Sequence, residues 1–338
     1  MDIATPLLRL EVIGVEDTSI LKANHNQLLS KGSREYVLSI REQMFTNRSF
    51  KVPEDWDWAW SVKVGPIWTP ASLGSNLKCW LLPEYLSPLD TDETIVAEAN
   101  DRSDSGITFE NTNSTDTSPT FTAALTGSNG LEFKGMAFRD SSEDQYLYSD
   151  DESGGDEIDP GTGDFSITFL VNWGAISTSE KYVLASSNNR QFALSVKQDG
   201  SGDDKIKVYF GNVATESNLT IDSSGEFMIL TVGRSGGDQF LFNAGSSSAD
   251  SGIVGTENQD ISNSQQFFIG SREHFSTDRL GEDGFTGDIY EIIFYNGTLS
   301  SADRQNIEGY IAHKFEKTDL LHTATHPYKS NPPRDTVA

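Results

Sequence analysis

The sequence predicts an all-β sandwich, closed by one C-terminal amphipathic helix and preceded by a small N-terminal β-rich segment. Three observations carry that expectation. Short runs of alternating apolar and polar residues recur from position 77 onward. Clusters of Gly, Asp and Ser separate them. One late segment, from Ser300 to Phe315, changes to helical spacing.

Along the chain, residues 7–15 read as a strand, and 18–45 mix polar and apolar residues as a strand or short helix. In Trp56-Asp57-Trp58-Ala59-Trp60, period-2 alternation puts three indoles on one face of an extended segment. Trp56, Trp58 and Trp60 are either an aromatic face that docks a partner or the core of a small module. Pro66 and Pro70 then punctuate a linker.

In the central block, Phe165, Ile167, Phe169 and Val171 share one strand face. Phe192, Leu194 and Val196 repeat the pattern, as do Ile206, Val208 and Phe210. Residues 227–232, 239–242, 266–269 and 287–295 add further strands, divided by turns at 199–203, 235–238 and 281–284. Ser300 is placed to cap the helix, with Asp303 three residues on. Ile307, Tyr310, Ile311, Lys314 and Phe315 then form its docking stripe.

Charge divides the 338 residues. The chain holds 25 basic and 51 acidic side chains, a formal net charge of −26. Residues 1–65 and 300–338 are nearly balanced, so the excess sits on 66–299. Such a surface repels phosphate polymers and anionic membranes, so nucleic acid is not an expected partner. No apolar run reaches the ~18–20 residues of a membrane span, so no membrane insertion is expected. The N-terminus lacks the basic and apolar regions of a signal peptide. Synthesis in a cytosol follows as the expectation. The single Cys79 excludes an internal disulfide and reads as a small buried apolar residue.

Several segments resemble concanavalin A-like lectin/glucanase, or laminin-G-like, jelly-roll domains of the kind found in bacteriophage particles. They are Trp68-Thr69-Pro70 with Leu77-Lys78-Cys79-Trp80-Leu81, and Asp101-Arg102-Ser103. Gly130-Leu131-Glu132-Phe133 with Gln145-Tyr146-Leu147 adds to them. Most specific is Phe285 to Tyr295, followed by Leu299-Ser300, the helix Arg304 to Phe315, and His326-Pro327-Tyr328. The resemblance spans about 66–328, and it implies a jelly-roll domain there, an attachment segment at 1–65 and a tail at 329–338.

Chemistry is sparse at this level. The nearest approach to that family's carboxylate pattern, Glu157-Ile158-Asp159-Pro160-Gly161, lacks the second glutamate and is broken by proline. Asp288 and Glu291 are three apart, which on a regular strand puts them on opposite faces. The five histidines show no metal-binding spacing, and there is no G-x-S-x-G. Acidic loops at Asp150-Asp151-Glu152 with Asp156, and at Asp199 with Asp203 and Asp204, are candidate Ca2+ ligands. Asn172 and Trp173, at the end of a strand, are either a glycan-binding rim or part of the core.

The resulting expectation is a non-enzymatic virion surface protein, of capsid-decoration or head-fibre type. Its partners would be other virion proteins of capsid or tail, and it would be present as a homo-oligomer or in many copies. The alternatives are a glycan-binding tail-fibre or receptor-binding module that holds host-surface polysaccharide, and a glycanase.

Overall fold

The computed structural model describes residues 68–81, 96, 98–103, 107–111, 118–122, 125–126, 132–139, 145–149, 158, 161–186, 192–211, 213–222, 224–245, 252–256, 260–261, 267–272, 283–297, 299–322 and 325–335. Residues 1–65, with Trp56, Trp58 and Trp60, lie outside the described residues, as do Asp150–Glu152 and Asp156. Residues 69–125 and 133–330 belong to one compact unit. The other unit includes Trp68 and the chain end, where the Trp68 amide donates to the Pro333 carbonyl at 3.0 Å.

The strands are β1 (Leu77–Leu81), β2 (Glu98–Asn100), β3 (Thr108–Glu110), β4 (Thr120–Phe121), β5 (Leu125–Thr126), β6 (Glu132–Phe133), β7 (Met136–Phe138), β8 (Leu147–Ser149), β9 (Phe165–Trp173), β10 (Lys181–Ser186), β11 (Phe192–Gln198), β12 (Asp204–Phe210), β13 (Val213–Ile221), β14 (Phe227–Ser235), β15 (Asp238–Asn243), β16 (Gly252–Gly255), β17 (Phe267–Ile269) and β18 (Gly287–Asn296). The helix is α1 (Ser301–Lys314).

Two eight-stranded antiparallel sheets form a β-sandwich. The first runs β16-β15-β14-β9-β18-β7-β4, with β1 also paired to β18. The second runs β13-β12-β11-β10-β17-β8-β3-β2. The period-2 faces read from the sequence point inward. Phe165, Ile167, Phe169 and Val171 of β9 join Phe192, Leu194 and Val196 of β11 and Ile206, Val208 and Phe210 of β12 in one core. Phe165 meets Phe192 edge-on at 5.3 Å, bridging the sheets. Each such buried side chain contributes about 1.5–3 kcal/mol.

The outer face of the first sheet is covered by α1, which lies against β14 and β9. This is why β9, β14 and β18 are buried on both faces and read as nearly continuous apolar runs. Ser300 caps the helix as the sequence anticipates, accepting from the Asp303 amide at 3.1 Å. Ile307, Ile311, Ala312 and Phe315 are buried, and Tyr290 of β18 packs edge-on against Phe315 at 5.7 Å.

Two buried carboxylates add ion pairs, Glu291 between β18 and α1 and Glu308 between α1 and the C-terminal segment. Glu291 takes the Trp80 indole N–H at 2.5 Å and Lys314 Nζ at 3.2 Å. Glu308 meets Arg304 at 2.5 Å and His326 at 3.1 Å. Among the described residues no helix is long and apolar enough to cross a membrane.

One expectation is corrected here. Asp288 and Glu291 do not face opposite sides of β18. A register shift between Ile289 and Glu291 leaves Asp288 opposite Asn172 and Glu291 opposite Leu170. Asn172 and Leu170 are two apart on β9, so both acids lie on the same outer face.

Candidate functional site

Asn172 and Trp173 do not form a binding rim. Trp173 is 1% exposed and packs edge-on against Phe285 at 5.8 Å inside the core. Strand parity explains it, since position 173 continues the inward series 165, 167, 169 and 171. Asn172 faces the other way and donates to Asp288 Oδ2 at 3.0 Å, while Arg139 holds Asp288 Oδ1 at 2.7 Å.

The acidic turn at 199–203 folds on itself. Asp199 Oδ1 accepts from the Ser201 amide, the Ser201 hydroxyl and the Asp203 amide at 2.8, 2.6 and 3.0 Å. The Ser201 hydroxyl, first among these, lowers the Asp199 carboxyl pKa below its ordinary value. Among the described residues no group of three or more His, Cys, Asp or Glu side chains is placed to hold a metal ion.

The second sheet carries a different constellation on its outer face. Cross-strand register lines up Tyr209, Ala193, Ala185, Phe268, Tyr148 and Glu110 in one row across β12, β11, β10, β17, β8 and β3. The adjacent row sets Tyr182 opposite Ser195. Ala185, Ala193 and Ser195 are fully buried and Tyr182, Tyr209, Phe268 and Tyr148 nearly so, so the middle of this row is covered and only its margin reaches solvent.

At one end of this row, Glu180 is held by three hydroxyls. Ser195 and Tyr209 donate to its Oε1 at 2.7 and 2.6 Å, and Tyr182 donates to Oε2 at 3.2 Å. Arg272 stacks over the Tyr182 ring at 5.0 Å and pairs with Asp283 at 2.7 Å. Asp283 is set beside Tyr182 by a main-chain bond, from the Tyr182 amide to the Asp283 carbonyl at 2.9 Å.

Tyr182, Tyr209 and Ser195 are buried, whereas Glu180 is half-buried and the Asp283 side chain is 19% exposed. The buried groups therefore orient two carboxylates that reach solvent. Pre-ordered carboxylates that reach solvent are suited to accept hydrogen bonds from the hydroxyls of a sugar. Sequence reading does not find this site, because its residues come from β10, β11, β12 and two connecting segments.

No family model matches the chain, and no curated protein matches it. Solved structures do. A heptameric pentraxin of Limulus polyphemus is 11% identical over 60% of this chain and 86% of that chain, with a TM-score of 0.39. An arabinofuranosidase bound to arabinofuranosyl-xylobiose is 14% identical over 63% of this chain and 50% of that one, TM-score 0.47. Tailspike protein 2 of an Escherichia coli O157:H7 bacteriophage is 13% identical over 75% and 30%, TM-score 0.41. The chain thus spans half of the arabinofuranosidase and under a third of the tailspike.

The expectation of a protein without enzymatic activity is corrected. Similar structures include glycosidases, among them an arabinanase domain and a sialidase as well as the arabinofuranosidase. One sandwich architecture hosts both catalysis and binding, so the fold does not separate them. The likeness to these structures is one of fold alone.

Proposed function

We propose that the protein is a bacteriophage virion-surface component that engages cell-surface polysaccharide through the Glu180 and Asp283 carboxylates at the margin of its second sheet. The observation that carries this reading is the Glu180 constellation. Three hydroxyls fix its carboxylate, and Arg272 fixes Asp283 beside the same tyrosine. Groups held in this way lose little freedom when they bind a sugar hydroxyl.

In this reading residues 66–328 are the polysaccharide-facing jelly-roll domain of concanavalin A-like type, and 329–338 form a tail. The charge-balanced residues 1–65 are the attachment segment, with Trp56, Trp58 and Trp60 as its docking face. The acidic surface of 66–299 keeps many copies apart on a particle. Hydrolysis is a second reading, favoured by the two carboxylates that flank Tyr182. Glycoside hydrolysis uses such a pair.

The test is affinity electrophoresis of the full chain through gels containing bacterial polysaccharides, with reducing-sugar release measured on the same samples. Retardation that is lost in Glu180→Gln and Tyr209→Phe supports the site. Sugar release that is lost in Glu180→Gln selects the second reading. Neither retardation nor release on any polymer overturns both.

A further inference from the structure

Between positions 66 and 299 the chain has six lysines, and four of them, Lys181, Lys197, Lys205 and Lys207, fall on β10, β11 and β12. Strand parity sends Lys197, Lys205 and Lys207 to the outer face, opposite in phase to the buried Val196, Ile206 and Val208. Register then gathers them. Lys197 lies directly opposite Lys205, and Lys207 follows two residues along the same strand.

Like charges opposite one another destabilise a sheet. Their acidic neighbours offset this only loosely. Lys205 is 3.9 Å from Asp203 and Lys207 is 3.7 Å from Glu216, and both acids are largely exposed, at 61% and 47%. Among the described residues no carboxylate comes within 4.0 Å of Lys197. Three ammonium groups therefore gather on a strongly anionic molecule, in a place where an added anion relieves their mutual repulsion.

The patch adjoins the Glu180 site. Ser195, which donates to Glu180, is the register partner of Lys207. Tyr209 is two residues beyond Lys207 on the same strand face, about 7 Å along the strand.

We infer that Lys197, Lys205 and Lys207 form an anion subsite, and that the polysaccharide carries acidic groups, carboxylate or sulfate, spaced along a hydroxyl-rich chain. The inference rests on the proposed polysaccharide-binding reading. Glu180 and Asp283 take the hydroxyls of one sugar ring, and the lysines take the acidic substituent of a neighbouring ring. The acidic remainder of the surface repels polyanions elsewhere, which confines them to this patch.

The experiment titrates the full chain with polymer pairs that share a backbone and differ in charge: dextran and dextran sulfate, and methyl-esterified and free polygalacturonate. The charged member is expected to bind about tenfold or more tightly at low salt, the equivalent of one charge-assisted hydrogen bond. The difference should close in about 1 M salt, where the Debye length is about 3 Å. The triple variant K197Q/K205Q/K207Q should lose the preference and keep its binding of the neutral polymers, while the corresponding triple arginine variant retains the preference.

Equal affinity for both members of each pair overturns the inference and leaves the polysaccharide reading standing. A preference that survives the glutamine triple also overturns it. A preference that the triple removes but Glu180→Gln and Tyr209→Phe leave untouched upholds the lysine subsite and overturns the Glu180 site. Failure to bind any of the four polymers overturns the subsite.

Discussion

Asp288 and Glu291 lie three residues apart on β18, yet both face the helix-covered side of the first sheet, because the strand takes up an extra residue between Ile289 and Glu291. Tyr290 stands between them, packed on Phe227 and Phe315. The bulge turns Glu291 toward Trp80 and Lys314, and so decides how the C-terminal helix is held.

Glu291 is fully buried, so removal of its cation leaves an uncompensated charge. Lys314→Met should lower stability by about 3–5 kcal/mol. The double variant Glu291→Gln with Lys314→Met, which keeps an acceptor for the Trp80 indole N–H, should recover most of that loss. Urea unfolding midpoints check both, and a double variant no better than the single one refutes the pairing.

Gly309 sits inside α1, where alanine ordinarily gains about 1 kcal/mol over glycine. Here an added Cβ would stand 2.7 Å from Tyr328 Cβ. Gly309→Ala should therefore destabilise, by about 1–3 kcal/mol. A raised melting temperature would show that the segment around Tyr328 does not pack on the helix.

Ser300 both accepts from the Asp303 amide and donates to Asp303 Oδ2 at 2.6 Å. Ser300→Ala should cost about 1 kcal/mol. Thermal unfolding followed by far-ultraviolet circular dichroism reads the loss.

Alkaline pH should weaken the fold through two groups. Burial pushes the Cys79 thiol well above 9.0, helped by nearby Asp101. Burial likewise pushes the Tyr290 phenol above 10.0, with Asp288 adding to it. Both groups are raised in the folded state, so their stabilisation is complete below the unfolded values and is lost as pH rises past 9.0 and then 10.0. Melting temperatures measured from neutrality upward should fall in that window. Cys79→Ala should flatten the first part of the fall and Tyr290→Phe the second. Identical curves for wild type and both variants would assign the fall to other groups.

Much of the sandwich is legible in the sequence. The inward series on β9, β11 and β12 follows from counting by two, as does the outward phase of Lys205, Lys207 and Tyr209. The same count carried two residues further puts Trp173 in the core. The helix is legible from Ser300 and its apolar spacing. The Asp101-Arg102-Ser103 turn also has a visible role, since Asp101 Oδ1 accepts from the Trp80 amide at 2.6 Å and the Ser103 amide at 2.8 Å. The Glu180 constellation is not legible, because Glu180 and Asp283 are more than a hundred positions apart.

By itself the sequence determined which residues of each strand turn inward, where the helix begins, and that the central block is acidic. Those are local properties of side-chain period and charge. Only the tertiary structure decided that α1 covers one sheet face, that a bulge brings Asp288 and Glu291 to the same side, and that three lysines meet beside Glu180. These depend on which strand pairs with which and in what register. Main-chain hydrogen bonds between distant segments set that register, and no local spacing records it.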